Sequence, residues 1–513
     1  MKKKSLLLCS TLAFLSVGAL TGCGQNSNTI IVWVGSESVS FYRDQAKEFL
    51  KNNPDFGYSI GIIGADTGGA AGQMVSDNTA CGDIVTIAHD NIGKLSESSL
   101  IAPIVDEDLL KQIDEDNPKT FKDIIKNYLG QDKDHQYTFA VPYISQALFL
   151  YYDTRYVTEQ QADSFEGLIE AAQKYDKDNG VSGTKAFTVT GTDGFNNSFS
   201  LMARKLVDPN DPEKTEASVR LYGRGSMYDC YAQDNDQVAI MKWYQRMYEH
   251  PNGVLLELKG TPWNTCVENH LALSAIGGAW HFNAFQKAVG EPNIGCKILP
   301  TFTLTEEDVA GIEDKVYPMD DGATNMKGVH YDGLPQELQG AADAAPVAGT
   351  KFRGGSFVDC KAFVINMAKM TGAEKYGKMC DLIQYFSSKD VQKQSFLKCL
   401  NVPAFDQASD FIESVKDQVD HAGYLMAKAQ TGMSIYGFPQ PILNAAMNTN
   451  YYQKKAPDFY ANCIKKEECG TSVDSIREIL FRMEYVWKHG GLPSKPYPAL
   501  SELPAETSGL RNK

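Results

Sequence analysis

Downstream of residue 20 the sequence has no apolar run long enough to cross a bilayer, which takes about 20 consecutive residues. Basic charge is in deficit: 49 Lys and Arg stand against 64 Asp and Glu, for a formal charge of -15. That balance does not suit nucleic acid or an anionic membrane surface as a partner. Cysteine is not scarce, at 11 residues, but no spacing resembles a zinc site. A zinc-binding H-E-x-x-H helix and a phosphate-binding loop are missing; Gly68-Gly69 lacks the following lysine. Acids are plentiful, yet no segment places two where a glycosidase needs paired carboxylates. No cofactor or metal is therefore expected, and an enzyme is disfavoured.

The N-terminus carries a strong signal. Lys2, Lys3 and Lys4 precede an apolar run from Leu6 to Leu20, which fits the apolar stretch of a secretory signal. It ends in Leu20-Thr21-Gly22-Cys23, which resembles a bacterial lipobox. Residues 1–22 then form a lipoprotein signal peptide, Cys23 carries the lipid, and 23–29 form a short polar tether. Stable anchoring takes two acyl chains, because one gives only marginal binding. Removing 1–22 takes away three lysines and no acid, so the exported chain is more acidic still. Apart from Cys9 and Cys23, nine cysteines remain, an odd number, with Cys463 and Cys469 close enough for a small disulfide loop. Several read as small core residues.

At 513 residues the chain exceeds the size at which a single core stops growing. Ile30-Ile31-Val32-Trp33-Val34 reads as a buried parallel strand. Tyr42, Ala46, Phe49 and Leu50 mark a helix face that stops at Asn53-Pro54. Strands follow at 58–63 and 84–87, and this alternation predicts a doubly wound α/β sheet. Ligands in such sheets sit beyond the carboxyl ends of strands. Further strands are expected at 137–142, 148–152, 186–190 and 271–276, with helices at 163–177, 239–249 and 374–396. Residues 303–350 hold ten acids, two lysines and six glycines without periodicity, which predicts an insertion or loop. The proline-rich tail after 490 is expected to be extended or disordered.

Four segments in this order resemble the extracellular solute-binding proteins of the maltose and maltodextrin type, over most of residues 30–490. They are Ile31 to Gly35; Gly82 to Asp90 with Leu100 to Ile104; Val141 to Asp153; and Ala275 to Trp280 followed by Ile298 to Phe302. The resemblance implies a two-lobed periplasmic-binding-protein type II (Venus flytrap) fold, α/β in both lobes, which closes on solute by a hinge. It assigns 30–145 plus 301–405 to the N-terminal lobe and 146–300 plus 406–490 to the C-terminal lobe, with tail 491–513. It also implies a monomer, lipid-anchored on the extracytoplasmic face of the membrane, that delivers a sugar to an ABC permease.

Sugar hydroxyls call for carboxylates and amides, and sugar C–H faces for aromatic rings. Asp90 stands where the resemblance places a sugar-binding aspartate; its competing role is a helix N-cap. Asn91 replaces a basic residue of maltodextrin binders. Trp280, in Gly277-Gly278-Ala279-Trp280, matches a stacking tryptophan. Glu37 after the first strand and Gln146 at the first crossing are polar candidates, as are Asp193 and Asn196 in a loop with Phe195. Tyr436 and Phe438 are a second aromatic candidate. Trp33 is assigned to the core, Tyr143 to wall or core, and Arg353 to solvent. The same fold with a different cargo (polyamine, metal complex, glycerol phosphate), a surface glycosidase and a non-binding scaffold are the alternatives.

Overall fold

The computed structural model describes residues 28–130, 134–191, 196–208, 211–216, 234–256, 260–316, 324–325, 329–330, 340, 342–436, 438–439 and 470–477. Cys23 and its lipobox, Asp193, the Cys463–Cys469 pair and the tail lie outside these residues, as does the side chain of Tyr436.

The β-branched run near the start forms strand Thr29–Gly35, parallel to Ser59–Ala65 along its whole length and to Ile84–Ala88 on its other edge. Helix Val39–Asn52 covers this sheet with Phe41, Tyr42, Ala46 and Phe49, and ends just before Pro54. Together with helix Ala373–Phe386 these elements enclose one hydrophobic core. A second core is built around helices Phe165–Asn179 and Asn235–Glu249. The first of these is capped by Ser164, whose Oγ accepts from Gly167 N at 3.0 Å, and ends at left-handed Gly180. In the second, Trp243 stacks on Phe302 at 3.8 Å.

Among the described residues, one sheet of 11 strands runs through both cores. Its main path runs Val254–Leu255, Phe187–Val189, Ser274–Gly278, Val141–Asp153, Phe357–Asn366, Ile84–Ala88, Thr29–Gly35, Ser59–Ala65. Val141–Asp153 is a single strand of 13 residues, all buried, where two strands separated by a break were expected. Its first half pairs with Phe357–Asn366 and its second half with Ser274–Gly278 and Ile294–Lys297. Pro142 lacks a donor N–H. The strand accommodates it where the register shifts opposite Lys361 and Ala362.

The second passage differs from the expectation. Residues 298–302 were read as the return crossing, but Phe302, Leu304 and Phe352 belong to the second core. Thr301–Thr303 pairs with Lys351–Arg353, which pairs with Arg204–Asp208. The chain returns at 356–358: Phe357 packs in the second core and Val358 in the first. The described residues on either side of the insertion, 301–316 and 342–356, therefore pack with the second core, where Phe302 stacks on Trp243 and Phe352 on Phe302. The insertion itself is rooted rather than loose at its described ends. Thr305 and Asp308 form a capping box, and the Asp308 carboxylate takes a two-pronged contact from Arg246 at 3.1 and 2.8 Å. Arg353, assigned to solvent, is buried and donates to the Leu299 carbonyl at 3.0 Å.

Among the described residues no helix is long and apolar enough to cross a membrane. Cys81, Cys266, Cys296, Cys360 and Cys380 are buried free thiols, and Cys399 is a partly exposed one.

The return passage depends on Gly355, where a Cβ atom lies 1.7 Å from the Met202 carbonyl oxygen. Gly355→Ala is therefore expected to cost more than about 2 kcal/mol of folding stability, measured by urea unfolding. An unchanged midpoint would show that the passage gives way freely.

Candidate functional site

The parallel strands of the first lobe end at Gly35, Ala65 and Ala88, and a cleft of about 950 Å3 opens beyond them. Residues after each strand end form the first wall: Glu37, Asp66 and Asp90 with Asn91 and Lys94. The opposite wall comes from the second lobe and holds Asn196, Trp280 and Asn283. The two crossing strands supply the floor through Ile144, Gln146, Asp359 and Lys361. Six candidates from the sequence (Glu37, Asp90, Asn91, Gln146, Asn196 and Trp280) thus line one cleft. The sites at Asp193 and Tyr436 lie outside the described side chains.

Asp90 sits in the tight turn His89–Asn91 and is buried. Asn91 donates to its Oδ1 at 2.9 Å and to the Ala88 carbonyl at 3.3 Å. The N-cap position of helix Ile92–Glu97 falls to Asn91, without a side-chain cap, so the capping role weighed for Asp90 is not the one it takes. Lys94 lines the same wall; burial pushes its ammonium below the usual range, and the Asp90 charge opposes that shift. The Glu37 carboxylate folds back over Gly35, where a Cβ atom would lie 2.2 Å from Oε1.

Trp280 is 44% exposed, inside the cleft. Its position requires the preceding glycine: a Cβ atom on Gly278 would fall 2.0 Å from the indole ring. Behind it, His281 is wedged edge-on against Trp263 at 5.1 Å, and burial pulls its pKa down to about 4. Trp33 is partly buried against the first core, as assigned. Tyr143 reaches the cleft floor while stacking on Phe363 at 4.3 Å, and burial raises its phenol.

Sequence reasoning missed the floor of the return strand. Asp359 is buried, and its Oδ1 is hydrogen-bonded to Nδ1 of the fully buried His89. Burial alone would raise the Asp359 carboxyl, but the charges and hydrogen bonds of His89, with Lys361 beside it, hold it below the usual range. The available signal was two charged residues, Asp359 and Lys361, two apart in an otherwise apolar strand. Asn401 was also missed. It enters the cleft edge because Leu400 ends helix Lys389–Cys399 in the left-handed conformation, and its amide donates to Ser38 Oγ at 3.0 Å.

Residues 44–423 match the family model for bacterial extracellular solute-binding proteins. The chain belongs to that family. Solute-binding proteins of this kind work outside the cytoplasm, as the family description states. No curated protein matches the chain. Among solved structures, it resembles a maltodextrin-binding protein from L. casei at 15% identity and a TM-score of 0.57, covering 89% of this chain and 97% of that one. The maltose-binding periplasmic protein of Listeria monocytogenes, solved with maltose, is 14% identical with a TM-score of 0.58, covering 91% and 99%. A Streptococcus pneumoniae protein solved with maltopentaose is 15% identical with a TM-score of 0.58, covering 88% and 99%. At these identities the likeness shows the two-lobed α/β fold. Among the described residues of this solute-binding protein, no group of His, Cys, Asp and Glu could hold a metal ion.

The depressed pKa of His281 sets a pH dependence. Below about pH 6.5 the unfolded chain protonates this histidine while the folded one does not until about pH 4. Stability is therefore lost as pH falls through that window, by roughly 3 kcal/mol from this residue. His281→Leu is expected to make the acid limb shallower in urea melts between pH 7 and 4; an identical slope would rule His281 out as its source.

Proposed function

We propose that this solute-binding protein captures a neutral oligosaccharide of the maltodextrin type in the cleft, closes on it, and delivers it to an ABC permease. The observation that carries the reading is Trp280, a large ring left 44% exposed inside a cleft whose other wall and floor are polar. A pyranose offers the complement: a flat C–H face for the indole and a rim of hydroxyls for Asp90, Glu37, Gln146 and Asn196. Binding to both walls at once favours the closed form, since a solute stabilises a state only through contacts specific to it. The maltose and maltopentaose bound by relatives of the same fold support this choice of solute.

A second reading rests on charge. Glu37, Asp66, Asp90 and Asp359 outnumber Lys94 and Lys361, which favours a cationic solute such as a polyamine over a phosphorylated one. A glycosidase is supported less well. A general acid needs a carboxyl raised towards neutrality, whereas Asp359 is held low.

We further propose a monomer tethered by lipid on Cys23, a few residues before the first strand. Mass spectrometry of the membrane-bound protein should find lipid on an N-terminal Cys23 and none on the Cys23→Ser variant, which should keep residues 1–22; a mature chain without lipid on Cys23 would refute the anchor.

The solute is tested by thermal shift of the mature chain against maltose to maltopentaose, other glycans, polyols and polyamines. Ligand at 100 times its dissociation constant should add about 2.7 kcal/mol to folding stability. Trp280→Ala is expected to abolish the maltodextrin shift and leave the unliganded melting point nearly unchanged. A melting point unmoved by every glycan would eliminate the sugar, and a shift with polyamine alone would establish the second reading.

A further inference from the structure

Strand Phe357–Asn366 brings chemistry to a place where a hinge element is ordinarily apolar. Successive side chains of a strand point to opposite faces. Cys360 turns into the first core and is fully buried, while Asp359 and Lys361 on either side of it both line the cleft floor. The register sets Asp359 opposite Gln146, and sets Lys361 between Ile144 on one neighbouring strand and Ala88 on the other. All of these line the same cleft.

The two charged groups are held differently. Asp359 is pinned by the buried ring of His89. Lys361 is half-buried, and its ammonium makes no ion pair among the described residues. A carboxylate accepts a hydrogen bond and an ammonium donates one. Side by side on one face, they complement two adjacent hydroxyls, one donating and the other accepting. Their opposite charges offset each other, so the pair recognises a diol without demanding a charged solute.

We infer that Asp359 and Lys361 form a ligand subsite on the return strand that takes a vicinal diol of the sugar. This inference rests on the reading of the cleft as a sugar site and assigns it a floor. The strand belongs to both lobes, because Phe357 packs in the second core and Val358 in the first. Contacts to it are therefore available before the walls meet. The subsite contributes to affinity in open and closed forms alike and does not drive closure.

The test measures maltotriose affinity by calorimetry and the radius of gyration at saturation by solution scattering, for the parent, Asp359→Asn and Lys361→Gln. Asparagine keeps an acceptor for His89, and Lys361 bonds to nothing whose loss would unfold the chain, so unliganded melting points check the fold of both. Each variant is expected to weaken binding by about tenfold or more while the saturated protein contracts as far as the parent, which corresponds to one charged hydrogen bond lost. A monodeoxy-maltose series then locates the diol: removing the hydroxyl held by Lys361 weakens the parent and not Lys361→Gln. Equal affinity of parent and both variants overturns the subsite and leaves the sugar reading standing. A parent that binds no sugar overturns both, and variants that bind normally but no longer contract overturn the assignment of the floor to affinity.

Discussion

Two strands carry the backbone from one hydrophobic core to the other, and the polar side chains at their midpoints face a space shared by both lobes. Gln146 and Asp359, which line the cleft, are buried at this seam, and Ser145 is buried beside them. Ser145 is tied down, its N–H to the Val402 carbonyl at 2.9 Å and its hydroxyl to that of Ser434 at 3.1 Å. Asp359 is tied to His89. Gln146 has the cleft in front of it. Closing the walls over such a floor without hydrogen-bonding partners would cost about 1–3 kcal/mol for each polar group stranded. A solute rich in hydroxyls removes that penalty, and an apolar one does not. The same seam thus resists empty closure and selects a polar occupant.

The remaining polar groups inside the lobes are there to hold shape. Arg246 and Asp308 clamp the root of the insertion to the second lobe, since a carboxylate with no exposed surface needs a partner. The thiols are kept quiet by the same burial that places them. Cys296 and Cys360 are pushed well above the ordinary thiol range, so little thiolate forms at neutral pH. Free cysteine is in this way compatible with an extracytoplasmic protein.

The first lobe was legible because its signals are local. A β-branched run, a helix stripe and strand ends placed Glu37 and Asp90 beyond the sheet, and Trp280 was singled out by the resemblance of Gly277-Gly278-Ala279-Trp280 to a family element. What stayed hidden depended on partners distant in sequence. Two strands were expected at 137–142 and 148–152, and the pairing with Phe357–Asn366 is what carries one strand through the gap. The return crossing was placed at 298–302 by the resemblance of that segment to the solute-binding family, whereas Phe302 stacks on Trp243, far upstream. Asp359 and Lys361 were overlooked because no strand was expected at 357–366, where two charges two residues apart interrupt the apolar run. A cleft that cuts through the middle of the sheet makes one face wet over a few residues, and no local pattern announces where.

The division between the walls has an energetic consequence. Trp280 leaves 44% of its surface uncovered, roughly 100 Å2 for a side chain of this size. Covering that area contributes at most about 2.5 kcal/mol, comparable to one or two charge-assisted hydrogen bonds. The indole alone therefore cannot hold the lobes shut, and the carboxylates alone would accept many polar solutes in water. Only an occupant that presents hydroxyls to the first lobe and the floor, and a flat apolar face to the second, draws on both terms together. A pyranose ring satisfies both within its own thickness. A linear polyamine satisfies the acids but leaves the indole with little to stack on, so the aromatic wall weighs for sugar where the charge balance by itself would not.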